Sequence, residues 1–159
     1  MEDIPTIALN IQAGQLTGKV GVAKNAPILH LKELIELVLG VKASRQILNF
    51  NGQVLDDNQT VEFYNLIGGA TVIFAMTPLA GDPKFTIKLK SGSKNYTVKV
   101  KETRLVEDLK AKIGRHWAVP ATDISLTYHG QEMEDGFALS AYMICEDSVV
   151  GFKLNIEAR

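Results

Sequence analysis

Residues 106–113 read Val-Glu-Asp-Leu-Lys-Ala-Lys-Ile. The apolar residues Val106, Leu109 and Ile113 follow one another at three and four positions, which is the spacing of one face of an α-helix. The charged residues between them fall on the opposite face. The stretch therefore predicts an amphipathic helix whose apolar side packs on a core.

The same pattern occurs once more, earlier in the chain. There Ile28, Leu31, Ile35 and Val38 have helical spacing. In both halves two strands of alternating polarity precede the helix, and a strand with a tight turn follows it. The turns read Phe-Asn-Gly-Gln-Val-Leu-Asp-Asp from position 50 and Tyr-His-Gly-Gln-Glu-Met-Glu-Asp-Gly from position 128. The chain therefore contains one structural unit twice.

Each unit is predicted to be strand, strand, helix, strand, short strand or turn, strand. A single helix covers one face of such a mixed sheet, so the fold class is α+β and the other sheet face meets water. Two prolines and a glycine mark a linker at residues 78–83. We predict a first domain at residues 6–77 and a second at residues 84–157. Thr103 is predicted to cap the second helix, with Glu107 near the capping-box position.

The composition is that of a globular protein, with 46% hydrophobic and 22% charged residues and a formal net charge of −1. No apolar run reaches the length of a membrane span, and the acidic N-terminus does not resemble a signal peptide. One cysteine excludes an internal disulfide and favours a reducing compartment. We expect a monomer in the cytoplasm, with the nucleus as an alternative, and no membrane partner.

The residues that carry enzyme chemistry are present but scattered. His30, His116 and His129 lack metal-ligand spacing, and Cys145 has no local histidine to activate it. Gly68-Gly69 is not followed by the Lys-Ser/Thr of a phosphate loop. We predict no catalytic site, no metal, no cofactor and no enzymatic activity, with Cys145 in a structural role.

The repeated unit resembles ubiquitin. In the second half the helix at 106–113, the turn at 130–136 and the segment 139–142 are similar to ubiquitin's, and in the first half residues 52–57 and 63–66 are. The resemblance covers nearly the whole chain and implies two tandem ubiquitin-like domains of the β-grasp fold. Such a pair is also similar to two-domain ubiquitin-like modifiers, of the interferon-induced kind and their bacterial antiviral counterparts.

The resemblance implies a diglycine tail if the protein is conjugated to others. Glu157 stands where the family has a basic residue, and Ala158 and Arg159 stand in the place of the two glycines. The chain is therefore not an obvious substrate for an activating enzyme, or its tail has been trimmed or altered. The sequence Leu-Ala-Gly at positions 79–81 lies at the corresponding place of the first unit, where a loop glycine explains it.

The resemblance also implies an apolar patch on the exposed sheet face. Its central position is Asn49 in the first unit and Thr127 in the second, and a neighbouring position is Ala75 or Lys153. Common ubiquitin receptors are therefore expected to bind poorly. Ile73 either supplies a substitute apolar contact or is one exposed apolar residue among many.

The most distinctive surface feature is a set of lysines in the second unit. Strand alternation predicts that they share the outer face of one hairpin, and they are Lys84, Lys88, Lys90, Lys99 and Lys101. Such a face either binds an acidic protein segment or a nucleic-acid backbone, or serves only to keep the protein soluble. Trp117, at the end of the second helix, is predicted to be a partly buried anchor.

Three functions follow in order of preference. The first is a non-enzymatic tandem ubiquitin-like protein recognised by other proteins, through its sheet faces, with Lys88 and Lys99 among the contacts, and through the groove between its domains. The second is a covalent ubiquitin-like modifier that meets activating or conjugating enzymes. The third is a nucleic-acid-binding accessory domain, which the charge balance does not favour.

Overall fold

The computed structural model describes residues 5–155. It divides into two compact units, Met1–Pro78 and Leu79–Arg159, and each is described here by itself. The division falls at the start of the predicted linker. The tail residues Glu157, Ala158 and Arg159 lie outside the described residues.

The first unit is a five-stranded mixed sheet with one helix. Its elements are β1 (Thr6–Ala13), β2 (Leu16–Ala23), α1 (Ile28–Leu39), β3 (Gln46–Phe50), β4 (Gln53–Val54) and β5 (Thr71–Met76). The strand order is β2-β1-β5-β3-β4, in which β1 and β5 are parallel and the other neighbours antiparallel. The turn between β3 and β4 is Asn51-Gly52, where both residues have positive φ, as predicted for a tight hairpin.

The second unit has the same architecture. Its elements are β6 (Phe85–Ser91), β7 (Lys94–Val100), α2 (Val106–Trp117), β8 (Ile124–Tyr128), β9 (Gln131–Glu132) and β10 (Val149–Leu154), in the order β7-β6-β10-β8-β9. The two helices begin at Ile28 and Val106, 78 positions apart, and the same offset separates Thr71 from Val149 at the start of the last strands. The prediction of two tandem α+β β-grasp domains is therefore confirmed.

The helices bury the residues that their spacing predicts, with one exception. In α2 Val106, Leu109 and Ile113 are at most 2% exposed, so the stretch that revealed the repeat also builds the second core. In α1 Val38 is 46% exposed and Leu39 takes the core position instead. Three helical turns take about 10.8 residues. The residue that faces the core three turns after Ile28 is therefore Leu39 and not Val38.

A matched ion pair ties each helix to the loop after the short strand. Lys32 Nζ lies 2.6 Å from Asp57 Oδ1 in the first unit, and Lys110 Nζ lies 2.9 Å from Asp135 Oδ1 in the second. Both lysine side chains are largely buried along the helix while both carboxylates stay partly in water. The repeat thus preserves polar ties as well as apolar cores.

The predicted cap of α2 is wrong. The helix begins after Leu105, whose N–H donates to Asp108 Oδ2 at 3.0 Å, and neither Thr103 nor Glu107 fills the predicted position. Leu105 has extended backbone angles and forms a β-bridge with Ala138. Because that bridge holds the preceding chain in a strand-like path, the first helical turn starts two residues later than the Thr103 cap implies.

Candidate functional site

Residues from three strands meet on the exposed sheet face of the first unit. Ile73 of β5 is paired directly with Asn49 of β3, and Ala75 is paired with Ile47. On its other side Asn49 is paired with Val54 of β4. Direct cross-strand partners share one face of a sheet, so these five side chains are neighbours. The structure thus brings the predicted residues Asn49, Ile73 and Ala75 together.

The apolar members of this group are unusually exposed. Val54 is 61%, Ile73 50% and Ile47 41% accessible, and Ala75 is also exposed. We call Ile47, Val54, Ile73 and Ala75 the apolar patch. Its middle is the half-buried side chain of Asn49, an amide that both donates and accepts hydrogen bonds. A contiguous apolar surface with a polar centre is the composition of a protein-binding site.

In the second unit the positions that correspond to the apolar patch hold polar residues or glycine. Thr127 is paired with Gly151, and Lys153 with Ser125. A Cβ atom on Gly151 would lie 2.6 Å from Thr127 Oγ1, so the threonine side chain occupies the space above the glycine. The predicted residues Thr127 and Lys153 are both exposed here, in a polar setting.

The predicted lysine face is correct in part. Lys88 and Lys90 of β6 and Lys99 of β7 are exposed and alternate with buried or half-buried residues. Lys153 extends this face onto β10, which pairs with β6. We call Lys88, Lys90, Lys99 and Lys153 the lysine face.

Lys84 and Lys101 lie just outside the two strands that carry the lysine face. Lys84 precedes β6 and Lys101 follows β7, so strand alternation does not apply to either residue. Both line a groove beside helix α2, together with Lys99 of the lysine face and with Lys112 and Arg115. The placement of these two lysines on the outer face of the hairpin stays a prediction.

Sequence comparison identifies the family. The sequence pattern of the ubiquitin family matches this chain twice, at residues 9–79 and 85–155. The chain belongs to the ubiquitin family.

The similar proteins include other carriers of ubiquitin-like domains. The ubiquitin domain-containing protein DSK2 of Saccharomyces cerevisiae is 30% identical over 92 residues, which are 58% of this chain and 24% of the yeast protein. The chain therefore spans about a quarter of that relative's length.

Two solved structures are similar at lower identity. The solution structure of the N-terminal ubiquitin-like domain in the 4931431F19Rik protein is 21% identical, with a TM-score of 0.47, over 52% of this chain and 88% of that one. The crystal structure of AtBAG1 in complex with HSP70 is 16% identical, with a TM-score of 0.44, over 46% of this chain and 41% of that one.

The cysteine of this ubiquitin-family chain lies in a small buried polar cluster. Cys145 is buried, and its N–H donates to Ser148 Oγ at 2.9 Å. That hydroxyl lies 3.0 Å from the Tyr128 hydroxyl and 3.6 Å from the Cys145 sulfur. Burial raises the pKa of Tyr128, and the Ser148 hydrogen bond opposes that rise. The cluster closes the loop before β10.

The histidines and the tryptophan lie on other surfaces. His30, His116 and His129 are all exposed. Trp117 is half-buried and stacks on Phe152 with ring centroids 5.4 Å apart, which agrees with its predicted role as an anchor.

Within residues 5–155 no three His, Cys, Asp or Glu side chains are grouped so as to hold a metal ion. The described helices are also too short or too polar to cross a membrane.

Two members of the apolar patch were missed from the sequence. Ile47 and Val54 become neighbours of Ile73 only through the pairing of β3 with β4 and β5. Strand alternation puts Ile47 on the same face as Asn49, two positions on, and that was a usable signal for the first. Val54 gave no comparable signal, because β4 is only two residues long.

Proposed function

We propose that this chain is a non-enzymatic recognition protein whose first ubiquitin-like domain binds other proteins through the apolar patch. The observation that carries the proposal is the cross-strand arrangement of Ile73 with Asn49 and of Ala75 with Ile47. Closing these side chains off from water is favourable at about 25 cal/mol per Å² of apolar area. We place this binding in the reducing interior of the cell, where a lone cysteine stays a thiol.

The Asn49 side chain at the centre of the apolar patch sets the specificity of this binding. Asn49 requires a polar group on the partner, since an amide buried without hydrogen bonds costs about 1–3 kcal/mol. A receptor that offers only apolar atoms at that point is disfavoured. The expected partner therefore surrounds one donor or acceptor with apolar side chains.

The role of covalent modifier remains the alternative hypothesis. It requires thioester formation with an activating enzyme, which depends on residues after Asn155. Incubation of the natural full-length protein with such enzymes and ATP, followed by non-reducing electrophoresis, distinguishes the two roles. A thiol-sensitive adduct would favour the modifier.

Arginine substitutions in the first domain test the recognition proposal. We expect Ile73→Arg to remove most of the proteins that the intact chain captures, because it places a charge in the apolar contact. Leu37→Arg is the matched control, since Leu37 is an apolar residue that is 83% exposed on helix α1. Quantitative mass spectrometry of the captured proteins gives the measurement.

The two variants distinguish specific binding by the apolar patch from non-specific hydrophobic adhesion. Partners lost with Ile73→Arg and retained with Leu37→Arg support the apolar patch. Equal loss in both variants, or retention in both, would contradict it. Asn49→Arg is expected to match Ile73→Arg, because the two side chains are direct cross-strand neighbours.

A further inference from the structure

Cationic side chains of the second domain surround one concave space beside helix α2, which we call the basic groove. It has a volume of about 320 Å³. Six cationic residues line it, and they are Lys84, Lys99, Lys101, Arg104, Lys112 and Arg115. Asp108 is the one carboxylate among the described residues that line it, and this group already accepts the Leu105 N–H at 3.0 Å. The basic groove therefore carries a large excess of positive charge.

Separate parts of the fold bring these cations together. Lys112 and Arg115 are three positions apart on α2, so they lie on one face of the helix. Lys101 and Arg104 belong to one turn, in which the Arg104 N–H donates to the Lys101 carbonyl at 3.1 Å. Lys112 Nζ donates to the Lys99 carbonyl, which holds this ammonium group between β7 and α2. The fold thus directs charges from a strand, a turn and a helix at the same space.

These charges are not neutralised within the described part of the domain. Among residues 5–155 none of the six cations forms an ion pair. Nearby acids are engaged elsewhere, since Asp135 pairs with Lys110 and Glu107 accepts a hydrogen bond from the Gly136 N–H. Clustered like charges repel one another and lower the stability of the domain. An anion that enters the basic groove relieves this repulsion.

The first domain has none of these cations. The counterparts 78 positions earlier are all uncharged, and they are Thr6, Gly21, Ala23, Ala26, Leu34 and Leu37. The first domain nevertheless has the same strand order and hairpin register. The fold therefore does not require any of the six cations, and their arrangement around one space calls for a reason other than folding.

The charge and size of the basic groove define the class of ligand. A single carboxylate or phosphate leaves most of the cations without a counter-charge, whereas several phosphates on one small molecule neutralise them together. A space of about 320 Å³ matches a ring-sized molecule. We propose that the basic groove binds a compact anion that carries several phosphate groups, such as a phosphorylated inositol ring, either free or as a lipid headgroup.

The other lining residues favour such an anion over a nucleic acid. The apolar side chains here are aliphatic, and they are Val100, Leu109, Ala111 and Leu139. Proteins that bind single-stranded nucleic acid combine cations with aromatic side chains on which the bases stack. No aromatic residue is among the described residues that line the basic groove. A compact polyphosphate needs only the charges and the concave space.

Titration calorimetry of the whole chain with inositol hexakisphosphate, at about 0.15 M salt, tests the proposal. Two-dimensional NMR is expected to show shifts of the Lys99, Lys101 and Lys112 amides, with their counterparts in the first domain unmoved. The ligand is also expected to raise the midpoint of urea unfolding followed by Trp117 fluorescence, because it binds only the folded second domain. No binding at about 1 mM ligand, or shifts centred elsewhere, would overturn the proposal.

Neutralising substitutions locate the phosphates in the basic groove. The double variant Lys112→Gln and Arg115→Gln is expected to weaken binding by about tenfold or more. The double variant Lys101→Gln and Arg104→Gln changes the turn instead of the helix and is expected to have a similar effect. Because the two pairs lie on different elements, a local disturbance of α2 cannot explain a loss in both. Unchanged affinity in both variants would contradict the proposal.

The lysine face supplies the matched control. Lys88→Gln with Lys90→Gln removes the same number of charges from the same domain and is expected to leave the affinity close to that of the unaltered chain. A loss in this control equal to that in the groove variants would overturn the proposal in favour of non-specific attraction. The basic groove and the apolar patch lie on different domains, so either proposal can fail without the other.

Vesicles distinguish the two sources of the phosphates. One preparation contains phosphatidylinositol bisphosphate in phosphatidylcholine, and in the other phosphatidylserine supplies the same surface charge. Retention on the first alone, with competition by free inositol hexakisphosphate, supports a headgroup site, and binding of the free molecule without retention supports a soluble ligand. Equal retention on both, or displacement of inositol hexakisphosphate by polyuridylic acid at equal phosphate concentration, would overturn the proposal.

Discussion

At the centre of the exposed sheet the first domain places Ile73 opposite Asn49, whereas the second places Gly151 opposite Thr127. Each member of one pair lies 78 positions from its counterpart in the other. The first pair leaves a large apolar side chain 50% exposed, and the second leaves a glycine covered by a threonine hydroxyl. The same strand order and pairing register therefore present two different surfaces.

The space between the edge strand and the helix differs in the opposite way, because here the second domain has the larger apolar opening. In the first domain the space between β2 and α1 is only about 10 Å³, and Gly18 and Val38 are among its lining residues. Their counterparts in the second domain are Tyr96 and His116, which line a space of about 470 Å³. Accessible apolar surface lies on the sheet of one domain and between strand and helix in the other. The duplication therefore keeps one core and differs in where apolar surface is exposed.

The largest effect on stability is expected for Gly114→Ala in α2, a position at which the two domains differ in side chain. An added Cβ would lie 2.6 Å from the Val119 carbonyl oxygen, and backbone cannot yield as a side chain can. We expect a loss of about 2 kcal/mol in the free energy of unfolding of the second domain, after the helix-propensity gain of alanine is included. Urea unfolding followed by Trp117 fluorescence measures it, since the chain has one tryptophan.

The counterpart Glu36 supplies the matched control. Its side chain already occupies this position in α1 and accepts the Ala43 N–H at 2.8 Å. Glu36→Ala is expected to leave the Trp117 transition unchanged and to cost the first domain about 1 kcal/mol or less. An unchanged midpoint for Gly114→Ala would show that the two helix ends are less different than their contacts indicate.

A smaller, reciprocal effect is expected where the two helices end. Gly40 and Ala118 both have left-handed backbone, with φ of 79° and 56°. Alanine is strained in this region and glycine is not, so Ala118→Gly is expected to stabilise the second domain by about 1 kcal/mol. Gly40→Ala is expected to destabilise the first domain by a similar amount. Trp117 fluorescence reports the first change and amide hydrogen exchange in α1 the second.

Opposite signs at these two positions would confirm that the repeats differ by side chain and not by backbone. The same sign in both would mean that neighbouring contacts outweigh the backbone strain. Both residues are exposed, so the loss of packing does not complicate the comparison.

Most of the fold could be predicted because its determinants are local. The spacing of Leu109 and Ile113, and the Asn51-Gly52 turn, depend on a few adjacent residues. The errors occur where distant segments decide the outcome. Thr103 fails as a cap because a bridge to Ala138 holds the chain extended beyond it.

The candidate sites were less predictable for the same reason. Alternation placed Lys88 and Lys90 correctly, since both lie inside a strand. It does not apply to Lys84 and Lys101, which lie outside the strands and line a groove beside α2. The groove they line is formed by a strand and a helix from separate parts of the sequence, so no local pattern reveals it.

The smallest expected difference between the two domains is in how their stability depends on pH. Tyr128 of the second domain corresponds to Phe50 of the first, so only the second domain has an ionisable ring at this core position. Burial raises the pKa of Tyr128 above its ordinary value of 10.0, the hydrogen bond to Ser148 lowers it, and the nearby Cys145 thiol raises it. Below pH 10 the ring is neutral in both the folded and the unfolded chain, and its contribution to stability is complete.

Above that pH the unfolded chain releases the tyrosine proton first, so the stability of the second domain falls as pH rises towards the raised pKa. Tyr128→Phe is expected to lower the free energy of unfolding by about 1 kcal/mol near neutral pH through the lost hydrogen bond. The stability of this variant is expected to fall less steeply above pH 10 than that of the unaltered chain. Ser148→Ala keeps the phenol and removes the bond that lowers its pKa, so a steeper fall is expected. Trp117-monitored urea unfolding between about pH 8 and pH 11 measures all three proteins. Parallel curves for Tyr128→Phe and the unaltered chain would assign the alkaline sensitivity to other groups and remove this difference between the domains.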